Sequence, residues 1–257
     1  MTRKWTAFPH EDVSYAMDRA ALKKHWPRLH RGDCEPWPKD SDAQAAWQAF
    51  HAGKFAEAVE VGTKSRGAAM NAAIKAQAVY AHSLAPEKSR LALLEEAAEW
   101  ADARRSAAPT DANAQYLHAM ALGRYAQRLS VAKALAQGMG GKVRDALLKT
   151  LELEPRHAEA HTAFGAYQAE VIDKVGALVA GVTYGAKRDS AIEHFETAVK
   201  LFPESPIARI EYANGLLLLF GKSRLGEAEK LYVAASECTP ADAMERLDVE
   251  LARSELA

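Results

Sequence analysis

Cysteine is scarce: Cys34 and Cys238 are the only two in 257 residues. So few thiols exclude a disulfide framework and read as two reduced side chains. Long hydrophobic runs are missing too. The most apolar stretches, 175–182 and 216–220, fall far short of the ~20 residues that span a bilayer, so no membrane span is expected. After Arg3 and Lys4 the chain turns polar and charged, where a secretory signal needs an apolar run. The expected location is cytoplasmic. Charge of one sign is absent as well: 33 basic residues face 34 acidic ones. That balance offers no general attraction for nucleic acid or an anionic membrane surface. Nowhere is there a sustained alternation of period two, so no sheet is expected.

What remains is an alanine-rich succession of amphipathic helices with short connections. Ser41-Asp-Ala-Gln44 has the spacing of a capping box, and Ser205-Pro206 and Thr239-Pro240 each place a hydroxyl before a proline at a first helical position. Self-similarity is the stronger signal. Ala191-x3-Phe195, Ala198 and Pro203 recur with the same spacing as Ala228-x3-Tyr232, Ala235 and Pro240. Each set follows a partner segment, Phe164-Gly165 to Gln168 in one case and Tyr212-Ala213 to Leu216 in the other. Two antiparallel helices approach closely only where a small side chain faces a large one. Gly165, Ala213, Ala191 and Ala228 are the small positions. Phe195 and Tyr232 fill the grooves toward the next unit, so each unit buries its apolar face by stacking.

Pro109, Pro155, Pro203 and Pro240 lie 46, 48 and 37 residues apart, against ~34 for a tetratricopeptide unit. The excess falls inside the helix pairs, near 126–142 and 169–187. The two long insertions resemble each other: Ala134-Leu-Ala-Gln-Gly138 with Gly141-Lys142, and Ala177-Leu-Val-Ala-Gly181 with Gly185-Ala-Lys187. The seven-residue stripe of Phe164, Val171 and Leu178 predicts about three extra turns of the first helix, ending in a glycine-rich return. Neither glycine cluster follows a strand or matches a phosphate-binding fingerprint, so the glycines are read as helix ends.

The fold expected is therefore all-α, a right-handed superhelical solenoid of antiparallel helix pairs with two extended helical hairpins. Residues 1–40, rich in tryptophan, read as an N-terminal lid, 41–240 as about five helix pairs, and 241–257 as a C-terminal capping helix. Catalysis has no support, because no nucleophile, base and acid converge. His157 and His161 share a helical face, but His161 holds a large packing position, and His25, His30 and Cys34 lack zinc-finger spacing. No metal or cofactor is expected.

The Ala-x3-aromatic units and their partner helices resemble tetratricopeptide-repeat (TPR) proteins. The hairpin insertions, followed by Tyr184-Gly185 through Phe195 and then Tyr212-Ala213, are also similar to the T-component of TRAP transporters and, more distantly, to the regulator of microtubule dynamics family. The nearest resemblance is to cytoplasmic bacterial TPR proteins without an assigned activity. The T-component resemblance implies a pore-forming oligomer accepting a hydrophobic ligand, although its members are exported lipoproteins and this sequence has no lipobox. The TPR resemblance implies a non-catalytic scaffold for a protein or peptide partner on the concave face, with His161, Gln168, Arg209, Glu211 and Asn214 as contacts. A second expectation is a hydrophobic small-molecule or lipid site between the hairpins, with Arg124, Tyr125, Gln127, Tyr167 and Glu170 inward. Self-association of the chain is left open.

Overall fold

Side chains set most of the helix starts. Asp18, Asp40, Asp111, Ser130, His157, Ser205 and Asp242 each accept a hydrogen bond from a backbone N–H in the first turn they precede, satisfying donors that have no intrahelical partner. The computed structural model describes residues 4–10 and 14–257, and all regular structure among them is helical. The export reading of the first residues falls partly outside this range.

After α1 (Arg19–Leu29), five antiparallel pairs follow in order: α2 (Ser41–His51) with α3 (Phe55–Ser65), α4 (Ala69–Ser83) with α5 (Glu87–Ala107), α6 (Ala112–Gln127) with α8 (Met139–Leu153), α9 (Ala158–Val175) with α11 (Arg188–Leu201), and α12 (Pro206–Phe220) with α13 (Leu225–Ser236). The short helices α7 (Val131–Ala136) and α10 (Ala177–Tyr184) sit inside the third and fourth pairs, and α14 (Ala243–Glu255) ends the chain. Each helix of a pair packs on its partner, successive pairs pack on one another, and the first helices of neighbouring pairs also touch, which makes an α-solenoid. Its two ends meet: α14 packs on α12 and α13 and also touches α2.

Small residues set the spacing between layers, as the repeat pattern requires. Phe195 is fully buried and is wedged between two glycines. A Cβ at Gly165 would lie 2.9 Å from its ring, and one at Gly215 would overlap it.

Three local readings change. Helix α2 is capped by Asp40, whose carboxylate accepts from the Asp42 and Ala43 amides, while Gln44 donates to the Pro38 carbonyl and closes no capping box. Thr239-Pro240 starts no helix; Asp242 does, because its carboxylate accepts from the Glu245 amide. The insertions are broken helices, not continuous extensions. At Gly176 the backbone turns to φ +79°, a conformation that favours glycine, so α9 stops and α10 begins as a separate helix. In the other hairpin Ser130 caps α7 three residues past the end of α6. Gly138 and Gly185, with φ of +62° and +68°, then turn the two chains back at corresponding points.

Candidate functional site

The interior of the solenoid has one filled end and one open end. The filled end holds the turn after α1. Arg28 pairs through both terminal nitrogens with Glu245 of α14 (2.6 and 2.9 Å), and Arg31 reaches Glu204 (3.0 Å). The Gly32 carbonyl accepts from the Glu159 amide of α9 (2.9 Å), and the Asp33 carbonyl accepts from Asn113 of α6 (2.9 Å). Contact here is so close that a Cβ at Gly32 would lie 3.0 Å from Phe202 and 3.2 Å from Glu159. Aromatic side chains seal the flank: Trp26 stacks on His30 and meets Trp37 and Trp47 edge-on.

A buried ionic network ties this plug to the solenoid. Lys75 of α4 donates to Asp33 and to Glu159, each at 2.8 Å, with little of its side chain exposed. Burial opposes its charge, but the two carboxylates outweigh that cost and raise its pKa. Burial likewise opposes ionisation of Asp33, yet Lys75 and His30 hold its carboxyl well below the usual range. His30 is driven down to about 4, chiefly by burial, and is neutral. His51 links His30 (3.1 Å) to Asp242 (2.7 Å), joining the ends of α2 and α14 through the plug. Glu35 lacks a cation of its own. Burial, with Asp33 and Asp111 nearby, raises it to about 8.

Beyond the network the interior opens into a cavity of about 300 Å³. The N-terminal halves of α6 and α9 face the plug, and their C-terminal halves line the cavity. Most of its wall is apolar, including Met120, Leu135, Val143, Ala163 and Met244. Both insertions reach its rim, where Tyr184 of α10 covers Gly140 of α8 so closely that a Cβ there would lie 3.0 Å from the ring. The charges in the wall are mostly paired. Lys75 belongs to the network, Arg124 pairs with Glu211 (3.2 Å), and Lys174 pairs with Glu170 (3.4 Å). Asp248 of α14 is different. It lines the cavity half-buried and makes no hydrogen bond or ion pair among the described residues. Burial, then Asp242 and Glu245, push its carboxyl well above the usual range.

Among the residues singled out from sequence, Arg124, Gln127, Tyr167, Glu170 and Glu211 line this cavity. Gln127 donates to Glu170, which clips α6 to α9 near the rim. Tyr125 faces outward to α5, where its hydroxyl donates to Glu95 (2.7 Å). The other candidates do not line it, and their side chains meet their own or neighbouring elements. Gln168 accepts from the Lys187 amide and donates to Ser190, fixing the return into α11. His161 meets His194 at 2.8 Å, Arg209 donates to the Ser205 carbonyl, and Asn214 accepts from the Tyr232 hydroxyl. His157 caps α9 through one ring nitrogen and meets Asn113 through the other.

Lys75, Glu159 and Asp248 were not anticipated from sequence. A helical period does carry a signal for Asp248, which follows Met244 by four residues and so shares its face. Lys75 also stands out, as a lone charge amid the buried Ala72, Ala73, Ile74 and Ala76.

The architecture is similar to the crystal structure of a thermophilic TPR protein from Thermus thermophilus. The match has a TM-score of 0.57 at 17% identity, and covers 83% of this chain and 97% of that one. The chain has a TPR-like fold. No family model matches it, and no curated protein matches it in sequence. Among the described residues no helix is long and apolar enough to cross a membrane.

Proposed function

We propose that this TPR-like protein is a non-catalytic binding protein that takes a small molecule with an apolar body into the cavity between its hairpins. The observation that carries this reading is the cavity itself, a concave space walled mostly by apolar side chains with a few polar groups among them. About 300 Å³ is at the small end of ligand pockets, and walls with few polar groups are their usual character. Two free cysteines far apart agree with a reducing, cytoplasmic setting.

The test is a fluorescence titration with the neutral apolar probe N-phenyl-1-naphthylamine. Gly123 lines the cavity and has nothing within 4 Å of a Cβ position, so Gly123→Trp fills the space without touching the backbone packing. Saturable enhancement in the native protein, lost in Gly123→Trp at unchanged helicity, is the expected result. Equal enhancement in both proteins would remove the reading.

A protein partner is supported by a separate feature. The tips of both hairpins present apolar side chains, with Leu178 and Val182 more than 80% exposed and Val131 and Leu135 close to half exposed. Under this reading Leu178→Ser with Val182→Ser abolishes recovery of a protein partner in affinity capture. Undiminished recovery would argue against the tips as a docking surface.

A further inference from the structure

We propose that Asp248 is the head-group site of the cavity and that the ligand carries a cation, a protonated amine or quaternary ammonium, on its apolar body. This rests on the cavity being a binding site. The argument is one of charge matching. Every cation in the wall already has a carboxylate: Lys75 has Asp33 and Glu159, Arg124 has Glu211, and Lys174 has Glu170. His82, also in the wall, adds no charge, since Arg124, burial and Arg128 drive its pKa to about 3. Asp248 is left without a hydrogen bond or ion pair among the described residues, and it faces the cavity.

A lone carboxyl against an apolar wall is costly, and proteins keep such groups paired, neutral or for use. The groups surrounding Asp248 favour the neutral form in the empty cavity. They are Asp242 and Glu245 on its own helix and Glu159 on α9, with Arg124 on α6 acting in the opposite direction. Glu211 on α12 is engaged by Arg124. Among the described residues no cation forms an ion pair with Asp248, and a ligand cation would supply one. Binding is then an exchange: the ligand ammonium takes up a position against the carboxylate, and the carboxyl proton leaves to solvent. Charge is conserved, and the apolar body occupies the space toward Met120 and Val143.

Three probes with one body and different heads test this by calorimetry on the full chain: octylammonium, 1-octanol and octanoate. Octylammonium is expected to bind about tenfold or more tighter than octanol, the range of a charge-assisted contact, and octanoate is expected to be weakest. In Asp248→Asn the octylammonium advantage disappears while octanol binds as before. A permanent cation, octyltrimethylammonium, should bind more tightly as pH rises, with proton release visible as a dependence of the heat on buffer. Equal affinity for the three heads in the native protein, or octanoate binding best, overturns the proposal and leaves the cavity reading intact. That comparison needs no variant, so it holds even if Asp248→Asn folds poorly. Failure of all three probes to bind removes both.

Discussion

Lys75→Met is the sharpest test of the plug. The side chain sits between Asp33 and Glu159 at 2.8 Å from each, and all three are shielded from solvent. Methionine fills much the same volume but leaves two carboxylates facing each other without a cation. Removing one partner of a buried ion pair costs about 3–5 kcal/mol, because the remaining charge is stranded. In a chain of this size that lowers Tm by on the order of 10 °C. The pH dependence is more specific still. In the native protein Asp33 has a depressed pKa, so its contribution is present in full above the ordinary carboxylate value and is lost as pH falls through the folded one. In the variant the cation is gone, the carboxylates titrate above their ordinary values, and stability rises as pH falls from 8 toward 5. Urea denaturation followed by circular dichroism at pH 8 and pH 5 reads both effects. A loss below about 1 kcal/mol at pH 8, or the same pH slope as the native protein, would refute the claim that this network holds the plug.

Glu35→Gln should act in the opposite direction. With a pKa raised to about 8 by burial, Glu35 destabilises the fold as pH climbs from the unfolded carboxylate value toward 8. The variant should therefore gain on the order of 4 kcal/mol at pH 8 and nothing at pH 4, as read by the same denaturation curves. Gly215→Ala should cost about 1–3 kcal/mol by driving a methyl group into the Phe195 ring, whereas Gly123→Ala, with open space at its Cβ, should be neutral or slightly stabilising. Differential thermal unfolding of the two variants separates them. Arg28→Ala strands the largely buried Glu245, and it should raise hydrogen exchange in α14 well before it affects α8.

The repeat was legible because its code is local. Ala191, Phe195 and Ala198 meet the neighbouring helix at fixed offsets, so spacing along the chain reports spacing in the layer. The hairpins were legible for the same reason, as excess length between two recognisable small residues. Where they break was harder to see. Gly176 ends α9 through its backbone conformation, while the apolar stripe runs straight across that position. The ionic network of the plug was not legible. Asp33, Lys75 and Glu159 come from three distant segments, and each taken alone is an ordinary charged residue. The cavity lies between these limits. Helical periodicity brought Arg124, Gln127, Tyr167 and Glu170 to the hairpin walls, but Asp248 is supplied by the last helix, beyond the repeats.

The plug also sets an order of events. Repeats assemble from neighbour contacts and grow as the chain lengthens, but Arg28 waits for Glu245, and Arg31 for Glu204. The contacts of the N-terminal turn with the last helices therefore form last. Until then Arg28 and Arg31 lack their carboxylates, and closing these contacts is a step at high sequence separation. Seating the N-terminal turn ties the first helix pair to the last helix, so the two ends of the solenoid close on each other.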